Sequence, residues 1–125
     1  MPALPTDAEL DILVALWRLG PSTIREVHEA LDKPSGYTTT AKQMQIMTEK
    51  GLLVRSERHR IHLYEPRAPK ERTTCEIAGR LMERVFGGSP AELMLGALAA
   101  RPASDQELSE IRRILDDLAQ KRGLK

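Results

Sequence analysis

Apolar residues recur along this chain at two different spacings, and the switch between them outlines its elements. Leu10, Leu13, Val14 and Trp17 return at helical intervals. The preceding Thr6-Asp7-Ala8-Glu9 forms a capping box, in which the Thr6 hydroxyl accepts from the Glu9 amide and the Glu9 carboxylate reaches back. A first helix is therefore expected from Thr6 to the Gly20-Pro21 stop. Ser22 is the expected cap of a short second helix to about residue 31, with Ile24, Val27 and Leu31 inward. Residues 32–36 are turn chemistry, and a third helix follows over about 38–50, closed by Gly51. The spacing then changes: 52–56 and 61–65 read as strands, with 57–60 at their turn.

Beyond Pro66 and Pro69 the helical period returns. A fourth helix over about 70–86 carries Ile77, Leu81 and Val85 on one stripe, and Gly87-Gly88 breaks it. Ser89-Pro90-Ala91-Glu92 reads as a capping box with proline at the first helical position. The fifth helix it opens, to about residue 100, is apolar nearly all round. Ser104-Asp105-Gln106-Glu107 is another box, and Leu108, Ile111, Leu115 and Leu118 then recur at the a/d spacing of paired helices. Helix, helix, turn, helix, β-hairpin is the order of a winged helix-turn-helix. The expected fold is mainly α with a small β-hairpin: a winged helix over 1–68 and a helical region over 69–125.

Charge changes this picture more than composition does. The 125 residues carry a formal net charge of only +1. Yet residues 1–32 hold two basic against six acidic side chains, residues 33–70 eight against three, and residues 71–125 nine of each. The basic block coincides with the third helix and the hairpin, and a local block of this kind matters more to an anionic partner than the total does. The single cysteine, Cys75, leaves no disulfide framework or Cys-rich metal cluster. His28, His59 and His62 lie too far apart, with too little Cys or carboxylate company, for a metal site. No cofactor is expected, and no Ser/His/Asp set, Gly-rich phosphate loop or close carboxylate pair suggests an enzyme. No apolar run approaches the ~18 residues of a membrane span, and no signal-peptide pattern is present, so a cytoplasmic protein is the default.

The third helix has two faces. At 100° per residue, Thr40, Ala41, Met44 and Met47 share one side, and Thr39, Lys42, Gln43, Ile46, Glu49 and Lys50 the other. The second set suits a DNA major groove. Thr39 and Gln43 donate and accept, Lys42 reaches a guanine edge or a phosphate, and Ile46 offers an apolar contact for a thymine methyl. Thr38, at the helix start, and Lys50, at its end, flank this face, with the Thr38 hydroxyl and amide near a phosphate. Arg58, His59 and Arg60 form a cationic hairpin tip able to meet phosphates or enter the minor groove. Protonation of His59 and His62 near phosphate would tighten binding as pH falls. Trp17 is expected in the core; Tyr64 suits either packing or a phosphate contact.

Four strings carry a resemblance: LWRLGPSTIREVHEAL (16–31), YTTTAKQMQIMTEKGLL (37–53), IHLYEP (61–66) and VFGGSPAELMLGAL (85–98). Together, in this order, they resemble the penicillinase-repressor family of winged-helix transcriptional repressors, the BlaI/MecI/CopY type. The resemblance implies a homodimer on a dyad-symmetric operator in double-stranded DNA that blocks transcription. Thr38, Thr39, Lys42, Gln43 and Ile46 fall on the family's recognition helix, Arg58 to Arg60 on its wing, and helices four to six on its dimerisation region. Leu81, Val85, Phe86, Leu95, Leu98, Ile111, Leu115 and Leu118 are the candidates for core and dimer contact.

Departures from the family pattern are informative. Family members often have Arg where Ile46 stands and Gly at the wing tip where His59 stands, which bears on the target sequence. β-Lactam-responsive members are cut, through a membrane sensor protease, at an Asn-Phe bond in the helix-five region; here the stretch reads Leu95-Gly96-Ala97-Leu98. Copper-responsive members carry a C-terminal Cys-x-Cys, whereas this chain ends Lys121-Arg122-Gly123-Leu124-Lys125. Two other readings of the fold are a winged helix used for protein–protein contact and a ligand-sensing regulator with a pocket between its halves.

Overall fold

The structure, a computed structural model, describes residues 4–32 and 36–123. The expected turn at 33–35 and the last two residues lie outside them. In chain order the elements are α1 (Asp7–Leu19), α2 (Ile24–Leu31), α3 (Tyr37–Lys50), β1 (Leu53–Arg58), β2 (Ile61–Pro66), α4 (Lys70–Val85), α5 (Pro90–Ala100) and α6 (Asp105–Lys121). Three helices followed by an antiparallel hairpin make a winged helix-turn-helix, and the rest is helical. The chain divides into two compact units, Met1–Ala78 and Gly79–Lys125.

The first unit holds the closed core: Ile12, Leu13, Leu16, Val27, Met44, Met47, Leu53 and Tyr64, with Leu10, Trp17, Ile24, Leu31 and Leu52 packed around it. The buried stripe of α1 is Glu9, Ile12, Leu13 and Leu16 rather than 10, 13, 14 and 17, and Val14 is 52% exposed. The helix is turned by about one residue, ~100°, from the apolar-only reading. Ile12, Leu13 and Leu16 carry this face, and Glu9 shares it with its carboxylate met by Lys50, whose Nζ lies 2.9 Å from Glu9 Oε2.

The Thr6–Glu9 box forms as expected. Ser22 does not cap α2. Thr23 does, in a reciprocal box with Glu26, while the Ser22 backbone pairs with Tyr64 through N–O distances of 3.0 and 2.8 Å and its hydroxyl donates to the Gly20 carbonyl. Ser22 is thus a one-residue strand along β2 and seats the wing against the helices. This bridge and its burial place Tyr64 in the packing role. The Trp17 indole donates to the Ala68 carbonyl at 3.1 Å, and Arg67 Nε to the Gly51 carbonyl at 2.9 Å, fixing the segment that leaves the wing.

In the second unit the Ser104–Glu107 box is complete, and the Arg101 guanidinium beside Glu107 holds that carboxyl below its ordinary value. Ser89 caps α5 by accepting from the Glu92 amide, but its own amide donates to the Phe86 carbonyl. Half of the expected box is therefore replaced by the turn that follows α4. No residue of α4, α5 or α6 is fully buried within the chain. Among the described residues no helix is long and apolar enough to cross a membrane.

Candidate nucleic-acid interface

The core fixes which side of α3 faces out. Thr40, Met44 and Met47 are buried, which leaves Thr38, Thr39 and Lys42 exposed and Gln43 and Ile46 half-buried at the edge of the same surface. His28 secures this orientation from α2, through a 2.9 Å hydrogen bond between its Nδ1 and Thr40 Oγ1. Gly36 caps α3 without a side-chain hydrogen bond. At the other end, Gly51 adopts φ 86°, a left-handed conformation that glycine takes without a side-chain clash, and turns the chain into β1.

Lys50 lies apart in its chemistry from the other outward residues. Its ammonium pairs with Glu9, which is 1% exposed and also accepts from the Thr6 amide at 2.9 Å. Burial pushes the Glu9 carboxyl up, but the Thr6 amide and hydroxyl and the Lys50 ammonium together outweigh it and hold the group below its ordinary value. The end of α3 is thereby tied to the start of α1. Sequence reading took Glu9 for a cap alone; its second partner, 41 residues away, leaves no local signal.

The hairpin pairs Arg58 with Ile61, so the turn is only His59-Arg60, two residues shorter than the 57–60 expected. Strand pairing continues through Glu57↔His62. Both turn residues have positive φ, 53° and 66°, as a type I′ turn requires, although Asn-Gly is the favoured pair there. Arg58, His59 and Arg60 are all exposed. Two side chains are held in a conformation that costs each roughly 1 kcal/mol. Replacing the tip by His59→Asn with Arg60→Gly is expected to raise stability by about 1 kcal/mol in denaturant unfolding. No gain would show that the tip conformation is not strained.

Two residues at this surface escaped the sequence reading. Tyr37, the first residue of α3, is exposed, and the Arg25 guanidinium of α2 sits 5.3 Å from the centre of its ring. The His28 ring meets the same ring edge-on, at 6.0 Å and 82°. Arg25 in the first turn of a helix, where acidic residues are favoured, was the available signal. Among the described residues no group of three or more His, Cys, Asp or Glu is placed to hold a metal ion.

The apolar candidates of the second unit fall into two sets. Phe86, Leu98 and Ile111 are half-buried within the chain. The Phe86 ring lies where a side chain at Gly96 would begin, 3.1 Å from the position of a Cβ. Leu81, Val85, Leu95, Leu115 and Leu118 are exposed, Leu95 by 61% and Val85 by 64%. Met94 of the apolar α5, and Ile114 of α6, which the a/d pattern there missed, are exposed as well.

Residues 5–117 match the family model described as penicillinase repressor. The penicillinase repressor of Bacillus licheniformis is 23% identical over 114 residues, covering 90% of this chain and 89% of that protein. The transcriptional regulator BlaI of Mycobacterium tuberculosis is 27% identical over 115 residues, covering 90% of this chain and 83% of that protein. With the family model spanning both the winged helix and most of the helical region, the chain belongs to the penicillinase-repressor family.

Proposed function

We propose that this protein is a transcriptional repressor that binds a dyad-symmetric operator as a homodimer and blocks transcription. The observation that carries the reading is the outward face of α3, with Thr38, Thr39 and Lys42 exposed, followed in the chain by the exposed Arg58–Arg60 tip. Thr39, Gln43 and Ile46 read base edges, Thr38, Lys42 and the wing hold phosphates, and Lys50 contributes mainly by fixing α3 on Glu9. The domains divide this work, the winged helix over 1–68 binding DNA and 69–125 joining the subunits.

The dimer rests on α5. A helix that is apolar all round belongs in a core, yet this one has no fully buried residue in the protomer. A second copy covering Leu81, Val85, Leu95, Leu115 and Leu118 resolves that mismatch, with Phe86, Leu98 and Ile111 packing beneath. A dimer also presents two recognition helices to half-sites ~34 Å apart, or a multiple of it. The family names of the relatives, penicillinase repressor and transcriptional regulator, support repression as the outcome. If a membrane sensor protease releases the protein, it acts elsewhere than at an Asn-Phe bond in α5, whose sequence is PAELMLGALAA.

Binding of purified variants to the DNA fragment that the wild type selects tests the reading. Lys42→Ala is expected to weaken binding roughly tenfold and to lower the salt slope by ~1.8 per dimer, one phosphate per subunit. Ile46→Ala is expected to cost about 1 kcal/mol on the selected fragment and little on random duplex, as for a thymine-methyl contact. An unchanged slope for the first and equal loss on both DNAs for the second would contradict these roles.

A further inference from the structure

The pair Arg25–Tyr37 has no role in the account of α3 and the wing, and its construction is unusual for a merely structural contact. Arg25 is the second residue of α2, after the Thr23 cap, where the free amides of the helix start disfavour a cation. It is one of only two basic residues among the first 32, against six acidic ones. What holds it is an aromatic face, 5.3 Å away. A ring fixes a guanidinium in place without cancelling its charge, as a carboxylate would. The ring is itself fixed, because His28 packs edge-on against it and is hydrogen-bonded to the buried Thr40. Arg25 thus stands as a preorganised, exposed cation over Tyr37, the residue that opens α3 and precedes the exposed Thr38 and Thr39.

We propose that Arg25, positioned by the Tyr37 ring, binds a backbone phosphate of the operator flanking the first turn of the recognition helix. The inference rests on the DNA-binding reading above and assigns a contact to α2. Guanidinium suits the role, since its planar fork of donors matches two phosphate oxygens at once. The wing would then hold the backbone after α3 in the chain, and Arg25 before it. Two such anchors set the depth and register of α3 in the groove without reading sequence themselves.

The test is a salt titration of binding by the full-length protein to two probes, the fragment selected from genomic DNA and a random-sequence duplex. Arg25→Gln is expected to weaken binding to both probes roughly tenfold and to lower the slope by ~1.8 per dimer. Its thermal midpoint should equal or exceed that of the wild type, because a cation leaves the start of α2; a structural role would lower it instead. Tyr37→Leu should weaken binding while keeping the slope, and Tyr37→Phe should behave as wild type. A wild-type slope in Arg25→Gln overturns the contact, and wild-type affinity in Tyr37→Leu overturns the positioning. Failure of the wild type to bind either duplex would instead strike the DNA-binding reading, and this inference with it.

Discussion

Leu118→Glu and Leu95→Lys are each expected to turn a dimer into a monomer and to lower operator affinity at least a hundredfold. Both side chains are more than half exposed in the protomer, so within one chain the changes meet water and cost little. In a two-fold dimer each substitution appears twice across the same seam. Burying each charge without a partner costs several kcal/mol, against about 1.5–3 kcal/mol gained when a leucine is buried. Affinity then falls because the second half-site is no longer engaged by a tethered copy, an effect of ~10²–10⁴. Sedimentation gives the mass, circular dichroism the helix content, and a titration the affinity. A variant that is monomeric yet binds as tightly as wild type would separate dimerisation from operator binding. One that stays dimeric would place the seam elsewhere.

Lys50→Met is expected to destabilise the winged-helix unit by about 2–3 kcal/mol, because it leaves the buried Glu9 carboxylate without its ammonium. The half-exposed Lys50 keeps the effect below that of a fully enclosed pair. The pH dependence has a definite sign. In the wild type the folded Glu9 carboxyl titrates below its ordinary value. Its charged form therefore stabilises the fold above the unfolded carboxyl's pKa of ~4.3, and that contribution is lost as pH falls through the lower folded value. Without Lys50 the loss of water around the carboxylate weighs more, so the deficit of the variant should shrink as Glu9 takes up a proton. Glu9→Gln in the same background should remove most of this pH dependence. A variant as stable as wild type at neutral pH but impaired in DNA binding would return Lys50 to the set of direct contacts.

Much of the fold was legible because its signals are local. The Thr6–Glu9 and Ser104–Glu107 boxes and the Gly51 stop each act within a few residues and form as read, and the hairpin forms with a shorter turn and longer first strand than expected. The misses share a cause. Ser22 is as good a cap as Thr23 by residue type, and only its pairing with Tyr64, far along the chain, decides between them. The partner of the inward Glu9 is Lys50, far along the chain, and the two-residue turn at His59-Arg60 defies the usual preference for Asn-Gly. At the candidate interface, periodicity sorted α3 into buried and outward faces correctly. It had no means of finding Arg25, because a cation–ring contact between residues 25 and 37 follows no repeat.

Footprinting the purified protein on the genomic fragment it selects separates a dimeric operator-binding repressor from the alternatives. The expected result is two protected half-sites related by a dyad, centred one helical turn or a multiple apart, with protection lost in Leu118→Glu. Sequence-blind, uniformly salt-sensitive protection, or a single half-site occupied by one chain, would contradict a dimeric operator-binding repressor.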